Sequence, residues 1–202
     1  MDKAIAIAGN IGSGKSSLVG FLSRTYDIKP FYEPNDENPY LPSFYEDMQR
    51  WAFHSQIYFL SNKFRLHREF DRASGIVALD RTIFEDAEIF ATALHDMGGM
   101  DDRDFATYWD FYQTILETIR PPDLLIYVKC SMRTLRRRIK KRGRAMEQDI
   151  PLGYLKRLDR LYENWIANYT LSDVLVVDTE KLDYDQDLVY QLDLMERIEA
   201  IL

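Results

Sequence analysis

Cysteine is nearly absent from this 202-residue chain: Cys130 stands alone, so no disulfide can form within it. That usage fits a reducing compartment, and Met1-Asp2-Lys3 leads straight into an apolar segment with no signal-peptide pattern. Both point to a cytoplasmic protein. Long hydrophobic runs are missing as well. The longest, such as residues 124–128, are far too short to cross a bilayer, so no membrane association is expected. Only three histidines occur, His54, His67 and His95, and none has metal-ligand spacing, which argues against zinc. Nine glycines and seven prolines are too scattered to form a linker, and no repeat or low-complexity tract appears. One domain spanning residues 1–202 is the expectation.

Basic residues are in deficit, 26 against 33 acidic ones, for a net charge of −7. That balance excludes nonspecific nucleic-acid binding as the main activity. The basic side chains are also segregated. Arg133, Arg136, Arg137, Arg138, Lys140, Lys141, Arg142 and Arg144 crowd residues 133–144, where no acidic residue falls. Such a cluster is either a solvated helix face or a source of positive charge for an anionic ligand.

What is present is the make-up of a globular α/β protein, with 46% hydrophobic and 29% charged residues. Apolar, β-branched runs recur at 4–8, 28–31, 76–79, 124–128 and 174–177, with longer stretches of helical period between them. This is the βαβ alternation of a parallel sheet, here five strands flanked by helices. The runs are continuous rather than alternating, as in strands covered on both faces. Residues 43–70 read as one long aromatic-rich helix, and 83–95, 101–119 and 151–169 as three more. Tyr154, Trp165 and Tyr169 fall at helical spacing and read as core or interface.

Between the first apolar run and the first helix lies Gly9-Asn10-Ile11-Gly12-Ser13-Gly14-Lys15-Ser16. Strand, glycine loop and helix in that order form a P-loop, whose backbone N–H groups converge on phosphate oxygens at a helix N-terminus. Lys15 can reach the outer phosphates, and the Ser16 hydroxyl can ligate Mg²⁺. Gly9, Asn10, Gly12, Ser13 and Gly14, and Ser17 just after the loop, join the nucleotide-binding set. The fold class is therefore that of a P-loop NTPase, and the ligand a nucleoside triphosphate such as ATP.

In an open parallel sheet, ligands bind beyond the carboxyl ends of the strands. Glu33-Pro34 follows the second apolar run and Asp80-Arg81-Thr82 the third, so a carboxylate and a carboxylate–guanidinium pair arrive beside the phosphate loop. Each alone could be a salt bridge or a helix cap; together they suit phosphoryl transfer.

Taken in order, residues 9–16, Glu33-Pro34, the set Tyr45, Trp51 and Gln56, Asp80-Arg81-Thr82 with Asp86, and Arg142-Gly143-Arg144 with Glu147 resemble the deoxynucleoside kinases. The resemblance runs to about residue 168, and Asp-Arg-Thr-Ile-Phe-Glu-Asp at 80–86 is most similar to bacterial members that favour purines. It implies ATP as phosphate donor, Mg²⁺, a deoxynucleoside as acceptor and, commonly, a homodimer formed through helices equivalent to 43–70 and 83–119.

The resemblance also implies roles. Glu33 is the general base for the 5′-hydroxyl, a contribution of typically ~10²–10⁴ in rate. Arg81 holds Glu33 and neutralises the moving phosphoryl group. Asp80 contacts Mg²⁺ with Ser16, directly or through water, at a position where the family more often has Glu. Gln56 and Asp86 read the base edge, Trp51, Phe53 and Phe84 wall that pocket, and Phe84 or Phe90 stacks on the ring. Tyr45 and Glu147 bond the sugar 3′-hydroxyl. Arg138, Arg142 and Arg144 belong to a lid at about 138–150 that closes over the triphosphate. Lys63 stands where many relatives carry Arg, and a point charge replaces a planar fork there. Deoxyadenosine is the expected base, ahead of deoxyguanosine and deoxycytidine.

The nearest rival is a nucleoside monophosphate kinase of the thymidylate-kinase type, which shares loop and lid but needs extra acceptor-site arginines. A GTPase switch is disfavoured because Asn62-Lys63-Phe64-Arg65 lacks the final Asp of the guanine motif.

Overall fold

The computed structural model describes residues 3–32, 37–180 and 188–201. Five parallel strands form one sheet in the order β2-β3-β1-β4-β5. They are β1 (Lys3–Ala8), β2 (Ile28–Phe31), β3 (Ile76–Asp80), β4 (Leu124–Lys129) and β5 (Asp173–Asp178). Every apolar run expected to be a strand is one. Central β1 shows why its hydrophobicity is unbroken: Ala4, Ala6 and Ala8 pack on one face, Ile5 and Ile7 on the other.

The isoleucine face is covered by α1 (Lys15–Thr25), through Leu18, Val19 and Leu22, and by α9 (Leu188–Glu199), through Leu194 and Ile198. The alanine face leaves more room and takes the larger side chains. Tyr108 and Tyr112 reach it from α6 (Asp102–Leu116), and Tyr154 and Tyr162 from α8 (Leu152–Ala167). All four rings are buried, and Tyr127 of β4 stacks on Tyr162 with centroids 5.9 Å apart.

Two segments depart from the sequence expectation. The single helix expected over 43–70 is two, α2 (Leu41–Glu46) and α3 (Met48–Phe70), broken at Asp47. The Asp47 carboxylate accepts the Arg50 N–H at 3.1 Å and so starts a new helix instead of continuing the old one. The helix expected over 83–95 is present but not regular. It runs as α4 (Ile83–Glu85), a π-helical stretch (Asp86–Ala91) and α5 (Thr92–Asp96). The Thr92 hydroxyl donates to the Ala87 carbonyl at 2.9 Å, supporting the widened turn from its end. The basic segment forms α7 (Met132–Arg142), capped by Ser131 and ended at Gly143.

Candidate active site

The phosphate loop leaves β1 and enters α1, and two of its glycines are there for space. A Cβ on Gly9, at φ +149°, would stand 2.4 Å from the Val128 carbonyl oxygen. A Cβ on Gly12, at φ +81°, would stand 2.9 Å from Ile139 Cγ1 and 3.0 Å from the Leu135 carbonyl oxygen of α7. Lys15 is buried and donates to the Gly9 and Asn10 carbonyls at 2.8 and 3.0 Å. Asn10 acts as an anchor: its Nδ2 donates to the Leu155 carbonyl at 3.1 Å and its Oδ1 accepts the Ile11 N–H at 2.8 Å. Ser13 is buried behind the loop, Gly14 caps α1, and Ser17 is exposed in its first turn.

At the end of β3, the Ser16 hydroxyl donates to Asp80 Oδ2 at 2.5 Å. Asp80 Oδ1 is buried and has no hydrogen-bond partner. A serine oxygen beside a carboxylate with an unused oxygen is the hard donor set that suits Mg²⁺ with waters in its other positions. Next comes Arg81, in the left-handed region at φ +72°, a conformation that costs a non-glycine residue about 1–3 kcal/mol. Its guanidinium lies over the Phe90 ring, 4.2 Å from the centroid, and Nη2 reaches the Gly9 carbonyl at 3.5 Å.

A cleft of about 310 Å³ opens from this loop toward α3. Its outer wall holds Gly12, Lys15, Ser16, Asp80, Arg81, Arg142, Arg144 and Glu147; Tyr45, Gln56, Asp86 and Phe90 lie further along it. Asp86 and Phe90, four residues apart on the π-helical stretch, reach one wall together. Behind the cleft wall Lys63 Nζ stands 3.6 Å from Asp86 Oδ1, with both side chains buried, and Lys63 itself borders a separate small space beside Phe31 and His67. The Gln56 amide oxygen is buried without a hydrogen-bond partner.

The structure thus gathers most of the residues singled out in the sequence, but not all. Trp51 does not line the cleft: its ring packs on Tyr40 and His54, with the Arg50 guanidinium over it. Phe84 and Phe53 are likewise absent from the lining, and Phe84 faces a separate small space beside Phe31, His67 and Phe70. Phe44, Phe59, Leu41 and Tyr154 supply the apolar wall instead. Tyr154 is therefore both core and cleft. Glu33 lies outside the described residues.

In the lid region Glu147 is buried and paired with two arginines, Arg142 through Nε at 3.1 Å and through Nη2, and Arg144 through Nη1 at 3.3 Å. Arg138 is engaged elsewhere. It donates to the Ser13 carbonyl at 2.9 Å and to Thr179, at Oγ1 and at the carbonyl, tying α7 to the phosphate loop and to the end of β5. Arg133, Arg136, Arg137, Lys140 and Lys141 are exposed. Among the described residues no cluster of three metal-ligating side chains occurs, and no helix is long and apolar enough to cross a membrane.

Sequence reasoning gave no role to Glu85. Its side chain is fully buried and accepts from the Gly9 N–H at 3.2 Å, the Tyr162 hydroxyl at 2.8 Å and the Thr82 N–H at 2.8 Å. The signal was visible as Thr82 followed three residues later by Glu85, the spacing of a capping box. Burial pushes its carboxyl up from the ordinary carboxylate range, against the pull of Arg81, Lys15 and Lys63.

The deoxynucleoside kinase family profile matches residues 5–202, past residue 168 where the motif resemblance ended. The chain belongs to the deoxynucleoside kinase family. A deoxyadenosine/deoxycytidine kinase of Bacillus subtilis (strain 168) is 38% identical over 183 residues, 90% of this chain and 83% of that protein. A deoxyguanosine kinase of Lactobacillus acidophilus is 40% identical over 189 residues, 89% of this chain and 82% of that one. Among solved structures, deoxyadenosine kinase from M. mycoides with dCMP and a flexible dCDP bound superposes with a TM-score of 0.85 at 32% identity, covering 98% of this chain and 100% of that one. The same enzyme with bound dATP gives 0.83. As a deoxynucleoside kinase the chain transfers phosphate from ATP, with Mg²⁺, to a deoxynucleoside. The monophosphate-kinase alternative is not favoured.

Proposed function

We propose that this deoxynucleoside kinase prefers bases that carry an exocyclic amine, deoxyadenosine first and deoxycytidine next. The observation that supports this is Gln56 and Asp86 together in the lining of the cleft, with Lys63 paired to Asp86 from behind. Adenine and cytosine both place an amine beside a ring nitrogen. One amide can accept from the amine and donate to the ring nitrogen, and a carboxylate can accept the second amine hydrogen. The unpartnered Gln56 oxygen is an acceptor waiting for such a donor. The Asp86 carboxylate, paired with Lys63, has lone pairs that would oppose the carbonyl oxygen that guanine or thymine brings to that edge. Deoxyadenosine is placed ahead of deoxycytidine because of the likeness to deoxyadenosine kinases.

In the same reading Glu33 takes the proton of the 5′-hydroxyl as its oxygen attacks the γ-phosphorus. Arg81 and Lys15 neutralise charge on the phosphoryl oxygens, and the loop amides, with Asn10, Ser13 and Ser17 framing them, hold the donor. Ser16 and Asp80 would hold Mg²⁺, which screens the phosphates when bound. Tyr45 and Glu147 bond the 3′-hydroxyl, Phe90 borders the base, and Arg142 and Arg144 cover the triphosphate with Arg138 at the base of the lid. Trp51 and Phe84 support the pocket from behind. The chain works as one kinase domain, residues 1–202 with its lid at about 138–150, and as a homodimer in the cytoplasm.

The test is phosphate transfer from ATP and Mg²⁺ to four deoxynucleosides, four ribonucleosides and the matching monophosphates. Deoxyadenosine and deoxycytidine leading the ranking would support the reading. Deoxyguanosine leading would overturn the role given to Asp86, and transfer only to monophosphates would overturn Glu33 as base.

A further inference from the structure

We propose that Glu85 is a positioning residue for phosphoryl transfer, locking Arg81 and the first glycine of the phosphate loop into one rigid unit. The inference rests on the reading of Arg81 as the residue that neutralises the moving phosphoryl group.

Glu85 does not line the cleft and touches no reacting atom. Its two carboxylate oxygens divide the work. Oε1 accepts from the Gly9 N–H and the Tyr162 hydroxyl and stands 3.9 Å from Arg81 Nε. Oε2 accepts from the Thr82 N–H at 2.8 Å and the Thr82 hydroxyl at 3.2 Å. A buried side chain surrounded by donors on both oxygens is served by a carboxylate and by no other natural group, because an amide would turn its own N–H₂ against one pair of them.

The contacts fall on either side of a strained residue. Arg81 is left-handed, and its backbone N–H is held by the Ile7 carbonyl at 3.0 Å as the β3 pairing with β1 ends. Glu85 holds the backbone of the very next residue, Thr82, and also stands at the Arg81 side chain. The arginine is thereby constrained from both sides. The same carboxylate grips the Gly9 N–H, while the Gly9 carbonyl receives Lys15 and Arg81. Loop and arginine cannot shift independently while Glu85 connects them. Tyr162, 2.8 Å away on α8, braces the carboxylate from the far side.

A brace of this kind acts on turnover. Misplacement by about 1 Å of a group that acts in the transition state can cost about 10²-fold in rate. The expected result for Glu85→Gln is a kcat lower by about 10- to 100-fold, with KM for the deoxynucleoside within about twofold of the parent. Tyr162→Phe keeps the ring packing and removes one donor, so it should lower kcat by a smaller factor with the same unchanged KM. It also serves if Glu85→Gln does not fold.

The deciding comparison repeats both changes in an Arg81→Lys background, where the carboxylate still grips Gly9 but has no guanidinium to aim. There each should lower kcat by less than about threefold if the two residues act as one unit. Wild-type kcat in folded Glu85→Gln or in Tyr162→Phe would overturn the proposal, as would equal fold-losses in both backgrounds, which a purely structural role predicts. If Arg81→Lys alone keeps full turnover, the reading of Arg81 fails instead, and this inference with it. Thermal unfolding of each variant separates a fall in kcat from a loss of folded protein.

Discussion

Glu147 is shared by Arg142 and Arg144, so the carboxylate assigned to the sugar is held by the arginines assigned to the phosphates. If those guanidinium groups turn to phosphate oxygens, Glu147 loses its partners while it stays buried. A hydroxyl placed against it would then restore a bond that the carboxylate would otherwise lack.

Glu147→Gln is therefore expected to weaken acceptor use far more than donor use. Losing one charged hydrogen bond corresponds to about a 10- to 100-fold rise in KM for the deoxynucleoside. The same variant should treat a 2′,3′-dideoxynucleoside much as the parent does, since that acceptor has no 3′-hydroxyl to lose. Steady-state kinetics with both acceptors checks this, and equal penalties for the two would remove Glu147 from the sugar.

Asp86→Ala should reorder the bases. It removes the acceptor that adenine and cytosine would use and the carboxylate that would oppose the carbonyl of guanine or thymine. The ratio of kcat/KM for deoxyadenosine to that for deoxyguanosine is expected to fall by about 10-fold or more, the size of one discriminating hydrogen bond. An unaltered ratio takes Asp86 out of base recognition.

Glu33→Gln tests the base that the family resemblance supplies. Turnover is expected to drop by about 10²–10⁴, while ATP binding, followed by protection against thermal unfolding, stays near the parent value. Near-normal turnover would mean that the 5′-hydroxyl loses its proton elsewhere.

His67 makes stability depend on pH. Its Nε2 is 3.0 Å from the Arg120 carbonyl and its ring sits 4.1 Å from that of Phe70. Burial lowers its pKa below the ordinary 6.5, outweighing the nearby Asp71 carboxylate. A histidine depressed on folding stabilises the folded chain above its unfolded pKa. That contribution is lost as pH falls below 6.5 toward the folded value. Urea unfolding should show the parent losing up to about 1.4 kcal/mol per pH unit in that window, and His67→Gln losing less. Identical pH profiles would show that His67 contributes nothing to the slope.

The sheet was legible in the sequence because unbroken apolar runs have few alternatives, and all five became strands. The outer half of the cleft was legible because loop glycines, Lys15, Ser16, Asp80 and Arg81 are tied to strand ends. Of its inner wall the family resemblance supplied Tyr45, Gln56, Asp86 and Phe90, but not the apolar side formed by Leu41, Phe44, Phe59 and Tyr154. Trp51 and Phe84 are aromatic residues at helical spacing, and which face of a helix meets the cleft depends on where the helix starts. The Asp47 cap sets that phase for Gln56 on α3, and the π-helical stretch carries Asp86 and Phe90. Neither feature shows in hydrophobic periodicity. Glu85 was hidden for another reason, since a buried carboxylate is recognised by its donors, and those come from positions 9, 82 and 162.

Gly12 touches the backbone and Ile139 side chain of α7 so closely that no methyl group fits between them. The phosphate loop and the helix that carries Arg138 and Arg142 therefore approach to a distance that only glycine permits. Exchange of that one glycine for any residue with a side chain would disturb donor site and lid together, from a position that offers neither of them a functional group.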